Sequence, residues 1–133
     1  MAKTIFAVEE DIDKLKDYIS VLKLKFEDKP YTVETFRSPW KAYHSMVNVR
    51  PGPDLLITAF DFDHYPNMGG PKLIREVHKL GSQTKFIMSS GMHASNMIRT
   101  IDELKKDGID VEYIPFYNVE YHLGELVNSL LGE

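Results

Sequence analysis

The sequence contains no cysteine. That absence excludes a disulfide framework, a thiolate zinc site and a cysteine nucleophile. Positive charge is also in short supply: 16 Lys and Arg stand against 20 Asp and Glu, a formal net charge of −4. Nucleic acid calls for a basic patch that releases phosphate counterions, so no nucleic-acid partner is expected. No apolar run approaches the ~20 residues needed to cross a bilayer. Glu9 and Glu10 arrive too early for a secretory signal. No membrane partner is therefore expected, and the chain reads as cytoplasmic. Gly-x-Gly-x-x-Gly, a Walker lysine and a Gly-x-Ser-x-Gly elbow are all missing. Gly69-Gly70 accordingly reads as a turn and cap. The five histidines are scattered without metal-ligand spacing, and His64, the only one near the strand ends of interest, reads as a solvated loop residue.

What is present is an ordinary globular balance, 43% hydrophobic and 27% charged over 133 residues, enough for one domain spanning 1–133. Element types alternate along it. Thr4 to Val8 is a short apolar run suited to a buried strand. From Glu9 to Lys29, Ile12, Leu15, Ile19, Leu22 and Phe26 recur at steps of three and four, one face of a helix that Pro30 stops. Tyr31 to Phe36 is a second strand, and Ser38-Pro39 opens a second helix running to Val49. Asp54 to Phe60 is the most apolar strand, followed by a loop from Asp61 to Gly70. Pro71 to Leu80 is helical and closed by Gly81-Ser82; Lys85 to Ser89 is the fourth strand. His93 to Lys106 forms a helix with Met97, Ile98, Ile101 and Leu104 inward, ended at Asp107-Gly108. Val111 to Ile114 and Val119 to Leu131 complete the series. Five strands alternating with five helices at short spacing predict a doubly wound α/β sandwich: a five-stranded parallel sheet with right-handed crossovers. Ligands on such sheets sit at the carboxyl ends of the strands. The residues to interrogate are Glu9-Glu10, Ala59 to Gly70, Ser89-Ser90-Gly91 and Ile114-Pro115-Phe116.

Those strand ends resemble the receiver domain of bacterial two-component response regulators. Ile5-Phe-Ala-Val-Glu-Glu-Asp11 is similar to the family's first strand with its acidic pair, and Pro53-Asp-Leu-Leu-Ile-Thr58 to the stretch leading to the phosphorylated aspartate. Pro66-Asn-Met-Gly-Gly-Pro-Lys-Leu-Ile74 resembles the Pro-Asn-Met-Asp-Gly turn and its helix. Phe86-Ile-Met-Ser-Ser-Gly91 and Pro115-Phe116 resemble the strand ending in a hydroxyl residue and the end of the Lys-Pro-Phe motif. The resemblance covers essentially the whole chain. It implies the flavodoxin-like strand order 2-1-3-4-5 and a signalling module rather than an enzyme: an aspartate takes a phosphoryl group, an acidic pair holds Mg²⁺, a hydroxyl swings to the phosphoryl oxygens, and a lysine caps the charge.

In this chain that constellation is damaged. The acceptor position, six residues after Pro53, is Ala59, and the lysine position before Pro115 is Ile114. The acidic pair survives as Glu9 and Glu10, each one methylene longer than aspartate, and the hydroxyl as Ser90. Asp61 shares the parity of Ala59 but lies about 6.6 Å further along a strand, so filling the slot requires a bulge or a two-residue shift. Two readings follow. The leading one is a degenerate pseudo-receiver acting through protein–protein contact, with no cofactor. The other is a phosphorelay receiver phosphorylated on Asp61, with Mg²⁺ held by Glu9, Glu10 and Asp61. A small-molecule binder of the flavodoxin or cobalamin kind is disfavoured, because Glu-Glu-Asp follows the first strand. As blander alternatives, Glu9 and Glu10 answer a helix dipole, and Ser89-Ser90 cap the next helix.

Nothing follows the fifth helix except Gly132-Glu133, so no output domain is expected in the chain. The resemblance implies a histidine kinase or output protein as partner, or a second copy. The expected partner face is that of the fourth helix, fifth strand and fifth helix, where Tyr113, Phe116, Tyr117 and Tyr121 cluster in sequence.

Overall fold

The computed structural model describes residues 3–25, 31–48, 52–81, 83–90 and 94–132. Five strands, β1 (Lys3–Val8), β2 (Tyr31–Phe36), β3 (Leu55–Ala59), β4 (Lys85–Ser90) and β5 (Val111–Pro115), alternate with five helices. These are α1 (Ile12–Lys25), α2 (Pro39–Asn48), α3 (Gly70–Lys79), α4 (Ala94–Lys106) and α5 (Val119–Leu131). The strands form one parallel sheet in the order β2-β1-β3-β4-β5. That is the predicted architecture. No helix among the described residues is long and apolar enough to cross a membrane.

Alternation along the strands divides the core into two layers. Phe6, Val8, Leu56, Phe86 and Met88 face one way and pack with Ala42, Met46, Leu73, Ile74, Met97 and Leu104 from α2, α3 and α4. Ile5, Ala7, Leu55, Ile57, Ile87 and Ile114 face the other way, under Leu15, Tyr18 and Leu22 of α1 and Leu123 and Val127 of α5. Both faces of the sheet are covered, as parallel pairing with helical crossovers requires.

Local chemistry sets the helix ends. Ser38 Oγ accepts the backbone N–H of Lys41 at 3.3 Å, with Pro39 in the first turn, so the Ser-Pro signal was correct. Gly108 adopts φ 81° and closes α4, with Ile109 N–H donating to Leu104 O. The first helix departs from its predicted start. Asp11, not Glu9, is its cap, with Oδ1 accepting the N–H groups of Asp13 and Lys14 at 2.9 and 3.3 Å. Glu9 and Glu10 therefore belong to the β1–α1 connection that precedes the helix. Within the predicted apolar faces, Ile12 and Ile98 are 44% and 59% exposed. Tyr18, which the periodicity passed over, is fully buried. β3 is one residue shorter than predicted at each end, although Asp54 N–H still donates to Thr4 O and Phe60 N–H to Ser89 O, and β4 runs one residue further, to Ser90. The expected features at Phe26, Pro30, Val49, Ser82 and His93 lie outside the described residues.

One close approach ties the site to the sheet. Gly70 N–H donates to Phe60 O at 2.8 Å, and a Cβ added at Gly70 would stand 2.1 Å from Ala59 O. Only glycine lets α3 start directly against the end of β3. Gly70→Ala is expected to lower stability by about 1–3 kcal/mol, read from urea unfolding midpoints. An unchanged midpoint would disprove this contact.

Candidate functional site

The carboxyl ends of the strands surround a cleft of about 400 Å³. Register decides which residues meet there. Ala59, the last residue of β3, pairs with Ser89, which pairs in turn with Ile114. The row Ala59–Ser89–Ile114 thus joins the acceptor and lysine positions inferred from the sequence, and the serine between them is Ser89. Ser90 pairs with Pro115 and also lines the cleft. Ser89 is 1% exposed, and its Oγ makes no hydrogen bond among the described residues. Beside it lies the equally buried hydroxyl of Tyr18, which faces Ser89 without a hydrogen bond of good geometry among the described residues. Burial above all, then the carboxylates of Glu9 and Asp17, push the Tyr18 phenol far above its ordinary value, with Ser89 opposing them.

Ile114 does not line the cleft. It is 3% exposed in the layer beneath α1 and α5, so its place among the pocket residues is corrected. Once the lysine is replaced by an aliphatic side chain, burial in the core is favoured over exposure at the sheet edge.

Glu9 and Glu10 diverge in environment. Glu9 is 7% exposed, and its Oε2 accepts the Asp11 N–H at 3.1 Å. Burial raises its pKa despite that bond and the nearby Lys14 ammonium. Glu10 reaches across the cleft instead. Its Oε2 lies 2.6 Å from His64 Nδ1 and accepts the His64 backbone N–H at 3.1 Å. Partial desolvation works against ionisation of Glu10, but the hydrogen bonds from His64 and from the Asp63 backbone outweigh it and lower the pKa. The Glu10 carbonyl also accepts Arg37 Nε–H at 3.0 Å. His64 is therefore a strap between the β1–α1 and β3–α3 loops, not the merely solvated residue predicted, although its side chain is 85% exposed.

Asp61 is exposed on the rim of the cleft. Partial burial, then the neighbouring charge of Asp63, raise its pKa. Between the two aspartates Phe62 is only 3% exposed, inserted into the layer beneath α2 to α4. The loop then turns through bonds from Tyr65 N–H to Phe62 O and from Met68 N–H to Tyr65 O, with Met68 fully buried. Burying a phenylalanine is worth about 1.5–3 kcal/mol, and moving Asp61 two residues back into the slot would withdraw Phe62. β3 ends in register at Ala59, without the bulge that the Asp61 reading requires. Among the described residues, no three His, Cys, Asp or Glu side chains converge to hold a metal ion. Glu9, Glu10 and Asp61 line the same cleft.

The four aromatic residues expected to make one partner face part company. Tyr113 is half-buried against the α2-to-α4 layer, and its hydroxyl lies 3.4 Å from Ser90 O. Phe116, Tyr117 and Tyr121 line a separate groove between α1 and α5. Sequence reasoning chose Ser90 over its neighbour Ser89 as the hydroxyl, and missed Tyr18 and that groove. Strand parity with Ile87 was the available signal for Ser89, and the i+3 step from Leu15 was that for Tyr18.

No sequence-family model matches the chain, and a search of curated proteins returned no match. Solved structures do match. A response regulator receiver domain protein from Clostridium thermocellum superposes with a TM-score of 0.77 at 16% identity, covering 97% of this chain and 94% of that one. A LuxR-family DNA-binding response regulator from Staphylococcus aureus gives 0.75 at 14%, covering 96% and 98%. A response regulator from Thermotoga maritima gives 0.71 at 19%, covering all of both chains. The chain has the fold of a response-regulator receiver domain.

The raised pKa of Glu9 has a testable sign. Folded Glu9 holds its proton to a higher pH than unfolded Glu9, so stability falls as pH rises through that window. Glu9→Gln keeps an oxygen for the Asp11 N–H and removes the buried charge. The variant is expected to be more stable than the parent near pH 7, and the difference to close as pH falls to about 4. Urea unfolding at both pH values checks this, and a less stable variant at neutral pH would contradict it.

Proposed function

We propose that the chain is a signalling module with the receiver fold but without receiver phosphotransfer chemistry, acting through protein–protein contact rather than catalysis. The observation that carries this reading is Ala59 at the end of β3, in register with Ser89 and Ile114. The acceptor slot offers no carboxylate, and the lysine position offers no charge. Phosphoryl transfer on this fold depends on positioned charge, and the groups that would supply it are an alanine methyl and a buried isoleucine. The anchored Phe62 and the Glu10–His64 strap further support a cleft held in one state. On this reading the partners are proteins of cytoplasmic two-component signalling, a histidine kinase or an output protein, and regulation comes from partner binding.

The competing reading, phosphorylation of Asp61 with Mg²⁺, makes the opposite prediction. Mg²⁺ with beryllofluoride, a phosphoryl mimic, is titrated to millimolar concentration while amide signals are recorded. The expected result is no concerted movement at Glu10, Asp61, Ser89 and Ser90. Saturable shifts of those four together would overturn the proposal in favour of a working acceptor.

A further inference from the structure

The groove between α1 and α5 has a volume of about 530 Å³ and lies apart from the acidic cleft. Its walls carry Asp17, Glu120 and Glu125, and no Lys, Arg or His lines it. None of the three acids forms an ion pair among the described residues. Between them stand two large aromatic rings in solvent, Tyr117 at 76% and Tyr121 at 71% exposure. At one end Lys14 Nζ lies 5.0 Å from the centre of the Phe116 ring, so a ring at this groove already receives an ammonium.

We propose that this groove docks a basic segment of a partner protein, one that presents Lys or Arg side chains alternating with aliphatic ones. The inference rests on the protein-contact reading above and names its surface and partner chemistry. Charge complementarity selects the occupant. Three carboxylates meet incoming cations, while the tyrosine rings cover the aliphatic side chains and stack on guanidinium groups. Exposed ion pairs add little affinity and act mainly in steering and register, so the rings are the energetic anchors. A second copy of this chain is a poor occupant, because a two-fold contact through the groove would set the same three acids against one another.

The test uses two fluorescein-labelled peptides of equal length, one alternating Lys/Arg with Leu and one alternating Glu with Leu. Binding is read by anisotropy and mapped by amide shifts. The expected result is saturable binding of the basic peptide alone, with shifts at Asp17, Tyr117, Tyr121 and Glu125. Glu120→Lys combined with Glu125→Lys should weaken binding at least about tenfold. Tyr121→Ala, which leaves the charge unchanged, should also weaken it at least about tenfold. All three side chains are exposed, and circular dichroism verifies that the variants fold. The proposal is overturned by equal binding of both peptides or by no binding of the basic one. Shifts confined to Glu9, Glu10, Asp61 and Asp63, indifference to Tyr121→Ala, or self-association that fills the groove without peptide would overturn it too. A chain that responds to beryllofluoride and still binds the basic peptide here would defeat the phosphate-independent reading and leave the groove standing.

Discussion

Parallel pairing of five short strands imposes the constraint on which everything else rests. Parallel neighbours cannot be joined by hairpins, so each strand is followed by a helix that crosses one face of the sheet. Both faces are then buried, and every strand-to-helix connection falls on the same edge. The alternation of Phe6, Val8, Leu56 and Met88 on one face with Ile5, Ala7, Ile57 and Ile87 on the other satisfies this requirement. It also brings Glu9, Glu10, Ala59, Asp61, Ser89 and Ser90 to one cleft, although they are dispersed over more than half of the sequence.

Within that cleft, apolar anchoring prevails over polar convergence. Phe62 is buried between two aspartates and holds both at the rim. Ile114 joins the core in the position where the resembled family presents a lysine. Ser89 and Tyr18 bury their hydroxyls side by side beneath the cleft, Ser89 holding down the Tyr18 pKa that burial raises. The Glu10–His64 contact, by contrast, satisfies a carboxylate through a residue 54 positions away and joins two loops across the opening. The cleft sits at the carboxyl edge of the sheet, shaped by buried apolar side chains and by a contact between two loops.

Reading the sequence recovered the order of elements, the parallel sheet and the neighbourhood of the site, because these follow from local periodicity and from Gly, Pro and Ser at element ends. Errors gathered where two local signals competed. Glu9, Glu10 and Asp11 are all acids before an apolar stripe, and only Asp11 places its carboxylate oxygen on the first-turn N–H groups. Ser89 and Ser90 are adjacent serines, and a one-residue difference in register sends their side chains to opposite faces. The aromatic residues from Tyr113 to Tyr121 are close in the chain, yet the turn at Phe116–Asn118 separates strand from helix and divides them.

By itself the sequence determined the fold class and the absence of a carboxylate at position 59 and of an ammonium at position 114. Periodicity is a local property, and an alanine or isoleucine lacks a carboxylate or an ammonium wherever the chain places it. The tertiary structure alone decided which of the remaining polar groups meet. The row Ala59–Ser89–Ile114 depends on strand register, the His64 strap on a loop path set by the burial of Phe62 and Met68, and the acidic aromatic groove on the packing of α5 against α1. Those contacts join residues distant in sequence, and their geometry is fixed by how the two core layers fill, which no local pattern records.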